Sequence, residues 1–313
     1  MNVVSDWKKC KYFWFAAIGI LIIGVWYFLT APSELLNEII VYDYGGIVYL
    51  NNGLGTNEKI VYEQQEDSNY TFKIEYFHPT ISPDNKSFVC LKSHGSYIGD
   101  WQVILTNILD LKQQVLLEGK RGWPEPVSFA WSKDGKRVYF LFINRLVSLD
   151  IETKKDQIVA EFPKASKMNS PADYLCYVRA SQLNPDVIYA LVPNGEPPAY
   201  IYRNNVYSIY RVNLVSQKVE TCWSGSEHFY DVSCGNQDAL DNLYKLLDRD
   251  TFESLFGSFE FPVLLPSYTS DNRFYYFMNQ WDGAFAQCWL DAFDKKSERN
   301  WKVKLFYWSL YSE

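Results

Sequence analysis

His94, Ser96 and Asp100 fall within one short stretch, Ser93 to Trp101, and by residue type they hold the parts of a nucleophile, a base and an orienting acid. Three such groups on one loop rarely converge, because a working triad draws its members from separate elements. Four other carboxylates recur at turn-like sites: Asp84, Asp134, Asp186 and Asp271. An Asp opening a turn accepts backbone N–H groups two residues on, so these are expected to hold turns together. No pair of them is spaced to share a proton or a metal ion. The three histidines are 78, 94 and 228, and neither Cys-x-x-Cys nor His-x-x-x-His occurs, so neither a metal nor a cofactor is expected. His78 before Pro79 and His228 beside Phe229 read as packed or turn histidines. No Gly-x-Ser-x-Gly elbow is present either.

Recognition is better provided for. His94, Tyr97, Asp100 and Trp101 share one loop, and Arg121 and Trp123 lie on a second. Tyr200, Tyr202 and Arg203 lie on a third, and Trp281 and Asp282 on a fourth. Aromatic, Arg and acidic side chains on loops of a rigid scaffold suit a partner surface. The bland alternative is solvated loops whose aromatics tuck against sheet edges.

What must position these loops is a repeat. Ser82-Pro83-Asp84-Asn85-Lys86 precedes an apolar run, as do Ser132-Lys133-Asp134-Gly135-Lys136, Asn184-Pro185-Asp186 and Ser270-Asp271-Asn272-Arg273. Asp-Gly between β-branched and aromatic runs is a strong hairpin signal, since Gly accepts φ > 0. A second polar turn follows each one: Leu109-Asp110-Leu111-Lys112, Leu149-Asp150 to Lys155, Val212-Asn213 to Lys218, and Leu290-Asp291 to Lys296. Tyr49-Leu50-Asn51-Asn52-Gly53 reads as a degenerate early copy. Strand, tight turn, strand, variable loop, strand, polar turn, strand over 40–50 residues describes a blade that must stack on neighbours to bury its faces. The fold class is therefore all-β: a β-propeller of about six four-stranded blades over 41–313, with five or seven as alternatives. "VKLFYWSL" near the end of the chain is a candidate to help close the ring. In such a blade the variable loops emerge at one face and the tight turns at the other.

Ser-x-Asp-Gly-Lys before an apolar strand, then Leu-Asp-x-x-Thr-Lys before the next, resembles the TolB-type propeller repeat. It is clearest over 127–161 and fades at 40–75 and 224–262. The resemblance implies a bacterial cell-envelope protein with a role in assembly. It specifies a fold well and a function poorly. The sialidase Asp-box differs, since Lys136 stands where that motif needs Gly.

Residues 236–256, "NQDALDNLYKLLDRDTFESLF", break the β-pattern. Leu240, Leu243, Tyr244 and Leu247 recur at helical spacing, which predicts an amphipathic helix, or a pair split near Asp250-Thr251. It is an insertion that either plugs against the ring or offers a partner-facing edge.

Tyr12 to Thr30 runs 19 residues without a charge, long enough to span ~30 Å of hydrocarbon. Lys8, Lys9 and Lys11 precede it, Glu34 and Glu38 follow, and Trp14 and Trp26-Tyr27 sit near its ends. The expectation is a short cytoplasmic N-terminus (1–11), a transmembrane signal-anchor (12–30), a linker (31–40) and a propeller outside the cytoplasmic membrane. A cleaved signal peptide and a buried core helix are the alternatives. Net charge is −7. An acidic domain without a basic stripe excludes nucleic acid as a partner. Six cysteines are present. Only Cys222 and Cys234 lie close together beyond the anchor, around a polar turn, so they either form a disulfide or remain free thiols. Together these features describe an anchored propeller that binds a protein partner in the cell envelope without catalysis. A propeller enzyme acting on carbohydrate or peptide at the loop-rich mouth is the rival.

Overall fold

The computed structural model describes residues 38–44, 46–66, 73–94, 100–120, 125–142, 144–163, 177–193, 207–225, 237–256, 267–268, 274–281, 287–294, 296–297 and 299–307. The apolar run at 12–30 lies outside the described residues. Among those residues no helix is long and apolar enough to cross a membrane.

Among the described residues, five antiparallel sheets follow one another along the chain. The first holds β1 (Ile39–Tyr44), β2 (Ile47–Asn52) and β3 (Lys59–Tyr62). The second holds β4 (Gln65–Glu66), β5 (Lys73–Ile81), β6 (Ser87–His94), β7 (Trp101–Asn107) and β8 (Gln113–Gly119). The third is β9 (Val127–Trp131), β10 (Arg137–Phe142), β11 (Arg145–Asp150) and β12 (Asp156–Glu161). The fourth is β13 (Tyr177–Ala180), β14 (Val187–Pro193), β15 (Tyr207–Asn213) and β16 (Val219–Gly225). Helices α1 (Gln237–Leu246) and α2 (Arg249–Phe256) come next. The fifth sheet is β17 (Ser267–Tyr268), β18 (Phe274–Trp281), β19 (Gln287–Asp294) and β20 (Arg299–Tyr307). Each sheet is a meander, with strands paired in chain order.

The sheets stack because central strands carry consecutive apolar residues and the side-chain period is two, so both faces are apolar. In β6, Phe88 and Cys90 face the first sheet, packing near Val48 and Tyr62. Val89 and Leu91 face the third, packing with Phe129 and Phe140. In β10, Val138 and Phe140 join that same core, whereas Tyr139 and Leu141 pack toward Ile188 and Ala190 of the fourth sheet. The long first strands of successive meanders pack on one another, β5 (which follows the two-residue β4) on β9 and β9 on β13. A row of meanders stacked through their first strands is the propeller arrangement.

The first sheet starts one strand late. After the third strand of a blade, the next N–H bonds the carbonyl just before the second strand: Ile108 to Lys86, Ile151 to Lys136 and Leu214 to Asp186. In the first sheet the same bond runs from Gly53 N to Glu38 O, 3.0 Å. Strands β1–β3 therefore correspond to the second, third and fourth strands of the later sheets, and the described chain begins at the tight-turn face. The early copy at Tyr49–Gly53 is real: Asn52 Oδ1 accepts Leu54 N at 3.2 Å and Thr56 N at 3.0 Å. Of "VKLFYWSL", Val303 to Tyr307 lie in β20, paired with β19 as the outer strand of its sheet, and the rest lies outside the described residues.

The helical insertion is present as two helices, and the break falls at Leu247-Asp248 rather than at Asp250-Thr251. Asp248 is the reason: its carboxylate accepts Thr251 N at 3.0 Å and the Thr251 hydroxyl at 2.7 Å, an N-cap for α2. Leu243, Leu247, Phe252, Leu255 and Phe256 pack on Val187, Tyr189, Leu191, Tyr207 and Ile209. That is the face of the fourth sheet on which a next blade would otherwise stack. The helices thus substitute for a blade face, and each buried Leu or Phe contributes about 2 kcal/mol.

Candidate functional site

The repeated turns are built alike in the second and third sheets. Ser82 Oγ donates to Asp84 Oδ1 at 2.7 Å, and Ser132 Oγ to Asp134 Oδ1 at 2.6 Å. Each carboxylate accepts the N–H two residues on, from Lys86 and Lys136, both at 3.1 Å. Asn85 at φ 57° and Gly135 at φ 69° complete the reversal. These bonds hold both carboxylates below the usual range, the Ser hydroxyl being the largest cause. Asp84 and Asp134 serve the backbone.

The second motif has a different frame from its sequence alignment. Its acceptor is the last residue of the third strand and the φ > 0 residue lies four on: Asn107 with Leu111, Asp150 with Lys154, Asn213 with Gln217. Asn107 Oδ1 accepts Leu109 N at 2.9 Å, Asp150 Oδ1 accepts Thr153 N at 2.8 Å, and Asn213 Oδ1 accepts Ser216 N at 2.8 Å. In the fifth sheet the acceptor is Asp294, which takes Lys296 N at 2.9 Å, whereas Asp291 sits mid-strand opposite Phe277.

At the opposite face, the structure closes some expected loops and removes one residue from the surface. His94 N donates to Asp100 O at 2.9 Å, fastening the base of the β6–β7 loop. Ser96 and Tyr97 between them lie outside the described residues, as do Arg121, Trp123, Tyr200, Tyr202, Arg203 and Asp282. Trp281 ends β18, paired with Gln287. Trp101 is not a surface anchor: it is 1% exposed. Its indole packs between the second and third sheets, edge-on to Phe142 at 6.1 Å. It also covers Gly119, where a Cβ would come within 2.0 Å of the ring. Cys222 is a free thiol packed against the α1–α2 core; Cys234, with which a disulfide was one of two alternatives, lies outside the described residues.

The structure also gathers polar side chains that sequence reasoning did not group. Strands β5 and β9 each carry a bulge, with His78 at φ 54° and Ser128 at φ 56°. Each lies four residues before the Ser of its turn, a regularity that could have been read from the sequence. A bulge re-aims a side chain out of the ladder. His78 N donates to Asp43 Oδ1 of β1 at 3.1 Å. Ser128 Oγ bonds Val178 N and O of β13, both at 3.3 Å, and accepts Arg179 Nη1 at 3.2 Å. Burial pushes Asp43 up to about 6, partly opposed by the His78 N–H. Burial, then the Arg179 charge, holds His78 down at about 4. At neutral pH this inner-strand cluster therefore presents a neutral imidazole, a guanidinium and a carboxylate that protonates in mild acid. It can accept and donate hydrogen bonds to a polar group. Among the described residues no three His, Cys, Asp or Glu gather as a metal site.

No protein family matches the chain in sequence, and no curated protein does. Solved structures with a similar course include a putative TolB from Agrobacterium tumefaciens, 11% identical over 86% of this chain and 78% of that one, TM-score 0.39. The β-propeller domain of the Trilobed protease from Pyrococcus furiosus is 11% identical over 85% and 66%, TM-score 0.35. An oligogalacturonate lyase in complex with manganese is 8% identical over 85% and 62%, TM-score 0.41. The chain spans less than two thirds of the length of the lyase and protease chains. Likeness of this degree carries nothing about activity. The propeller assignment stands on strand order and on the packing of successive sheets.

Proposed function

We propose that the chain is a membrane-anchored propeller, projecting outside the cytoplasmic membrane, whose loop face holds a protein partner without catalysis. The observation that supports this reading most is the sorting of the connections. His94–Trp101 and Pro193–Tyr207 are wide connections between second and third strands, and both leave the same face of the stacked second to fourth sheets; Trp281–Gln287 is the corresponding connection of the fifth sheet. The tight turns of the second to fourth sheets leave the other. The charge-free run at 12–30 and the lysines before it support the anchor.

A photocrosslinking residue at Tyr202 or Trp281 should trap the partner in native membranes, while the same residue at Lys133 on the tight-turn face should not. Equal yields from both faces would sink the assignment. The inner-strand cluster favours a second reading, a small polar ligand or substrate held at the axis. Under that reading Arg179→Gln, not a loop substitution, would be the change that abolishes function.

A further inference from the structure

We infer that the tight-turn face lies against the bilayer, with Leu109, Leu183 and Val215 entering the headgroup region. This rests on the anchored reading above. The chain meets the propeller at that face, because Glu38 O accepts Gly53 N just as Lys136 O accepts Ile151 N. Only residues 31–37 separate Glu38 from the end of the apolar run at Thr30, and seven residues reach at most about 25 Å. A domain tethered this closely by one face presents that face to the membrane.

The side chains on that face fit an interface. Leu109 is 94% exposed, Val215 76% and Leu183 70%. Leu109 and Val215 hold the same place, two residues beyond the turn acceptors Asn107 and Asn213. Turn geometry does not demand an aliphatic tip, since Glu152 holds that place beyond Asp150 in the third sheet. Leu183 lies in the neighbouring turn of the fourth sheet, joined to that of Val215 by Leu214 N to Asp186 O at 2.8 Å. Around these tips exposed lysines and carboxylates alternate: Lys86 with Asp84, Lys112 with Asp110, Lys136 with Asp134, and Lys155 with Glu152 and Asp156. Aliphatic tips on a face of mixed charge are the composition of a contact with the headgroup region of a bilayer. Three tips on separate turns insert into a fluid interface independently, whereas a protein surface would have to match all three at once.

The test is hydrogen exchange on the full-length chain, reconstituted into vesicles of equal parts phosphatidylcholine and phosphatidylglycerol and compared with detergent micelles. Peptides covering 107–112, 181–187 and 213–218 should exchange about tenfold more slowly in the vesicles. The protection should vanish in the double variant Leu109→Asp, Val215→Asp, whose sites face solvent. Equal exchange in vesicles and micelles, with the chain still resisting alkaline carbonate extraction, would overturn the inference while sparing the anchor. Extraction by carbonate would remove the anchored reading and this inference with it. Protection in micelles that grows with protein concentration would mean that a second copy covers the face, and would also overturn it.

Discussion

The first turns of the third and fourth sheets begin alike and are closed differently. In the third, Ser132 donates to Asp134 two residues away, and the turn is complete within itself. In the fourth, Ser181 N bonds Val187 O as Ser132 N bonds Arg137 O, yet the Ser181 hydroxyl reaches Asp250 on α2 at 2.5 Å. Asp250 also accepts Gln182 N and Leu183 N at 3.1 Å and the Tyr189 hydroxyl at 3.0 Å. The local carboxylate, Asp186, has given up the role: its own N–H donates to Asn184 Oδ1 at 3.0 Å. One chemical requirement is met once by a neighbour and once by an insertion. The helices are therefore part of the repeat's bonding, not an appendage to it.

Removing the distant acceptor should break that equivalence most severely. Asp250 is 9% exposed, and Asp250→Ala removes the acceptor of three hydroxyls, Ser181, Tyr189 and Ser254, and leaves Gln182 N and Leu183 N only their bonds to the Ser254 and Ser181 hydroxyls. A loss of about 4 kcal/mol is expected in urea denaturation. Release of α2 from β14 should accompany it, read as fast exchange in 249–256. If stability falls by less than 1 kcal/mol, water replaces the carboxylate and the helices are held by packing alone.

The two sheets also differ at the bulge, which the third has at Ser128 and β13 of the fourth lacks. The second sheet carries the same bulge at His78, where its contact with Asp43 provides a test by pH. Asp43 is raised to about 6, so its favourable contribution is full below the ordinary carboxylate range and is lost as pH rises through about 6. His78 is lowered to about 4, so its contribution is full above the ordinary imidazole range and is lost as pH falls through about 4. In the native protein the two slopes oppose. Asp43→Asn should leave a chain that weakens by about 2 kcal/mol between pH 6.5 and 4. His78→Asn, which tolerates the positive φ, should leave one that weakens as pH rises over the same span. Parallel profiles in both variants would show that the bulge does not bring these groups into one environment.

How much of this was legible follows from sequence distance. The Ser-x-Asp-Gly turn and the helix cap are local, their partners lying within five residues, and the sequence pattern gives the turns directly. The frame of the second motif was harder to see. Asn replaces Asp at 107 and 213, so matching on Asp aligned Asp110 and Asp291 with Asp150, when the strand end decides the position. Trp101 misled because an aromatic beside a loop looks exposed, and only Gly119, across a strand pair, shows where its indole lies. Asp250 was out of reach altogether, standing 69 residues from Ser181. The inner-strand cluster draws on four strands for the same reason.

The smallest predicted effect separates the turns most cleanly. Asp134→Ala should cost about 1 kcal/mol near neutral pH, the usual worth of a side-chain cap on backbone N–H groups. Because the Ser132 hydroxyl and Lys136 N–H hold this carboxyl below its ordinary value, its contribution is present above that value and lost as pH falls through the lowered one. Native and Asp134→Ala proteins should therefore converge in strong acid. Asp186→Ala in the fourth sheet should show no difference at either end, since its turn takes its acceptors from Asn184 and Asp250. Equal losses at 134 and 186 would mean that each turn carries its own acceptor after all, and that Asp250 binds the helix without closing the turn.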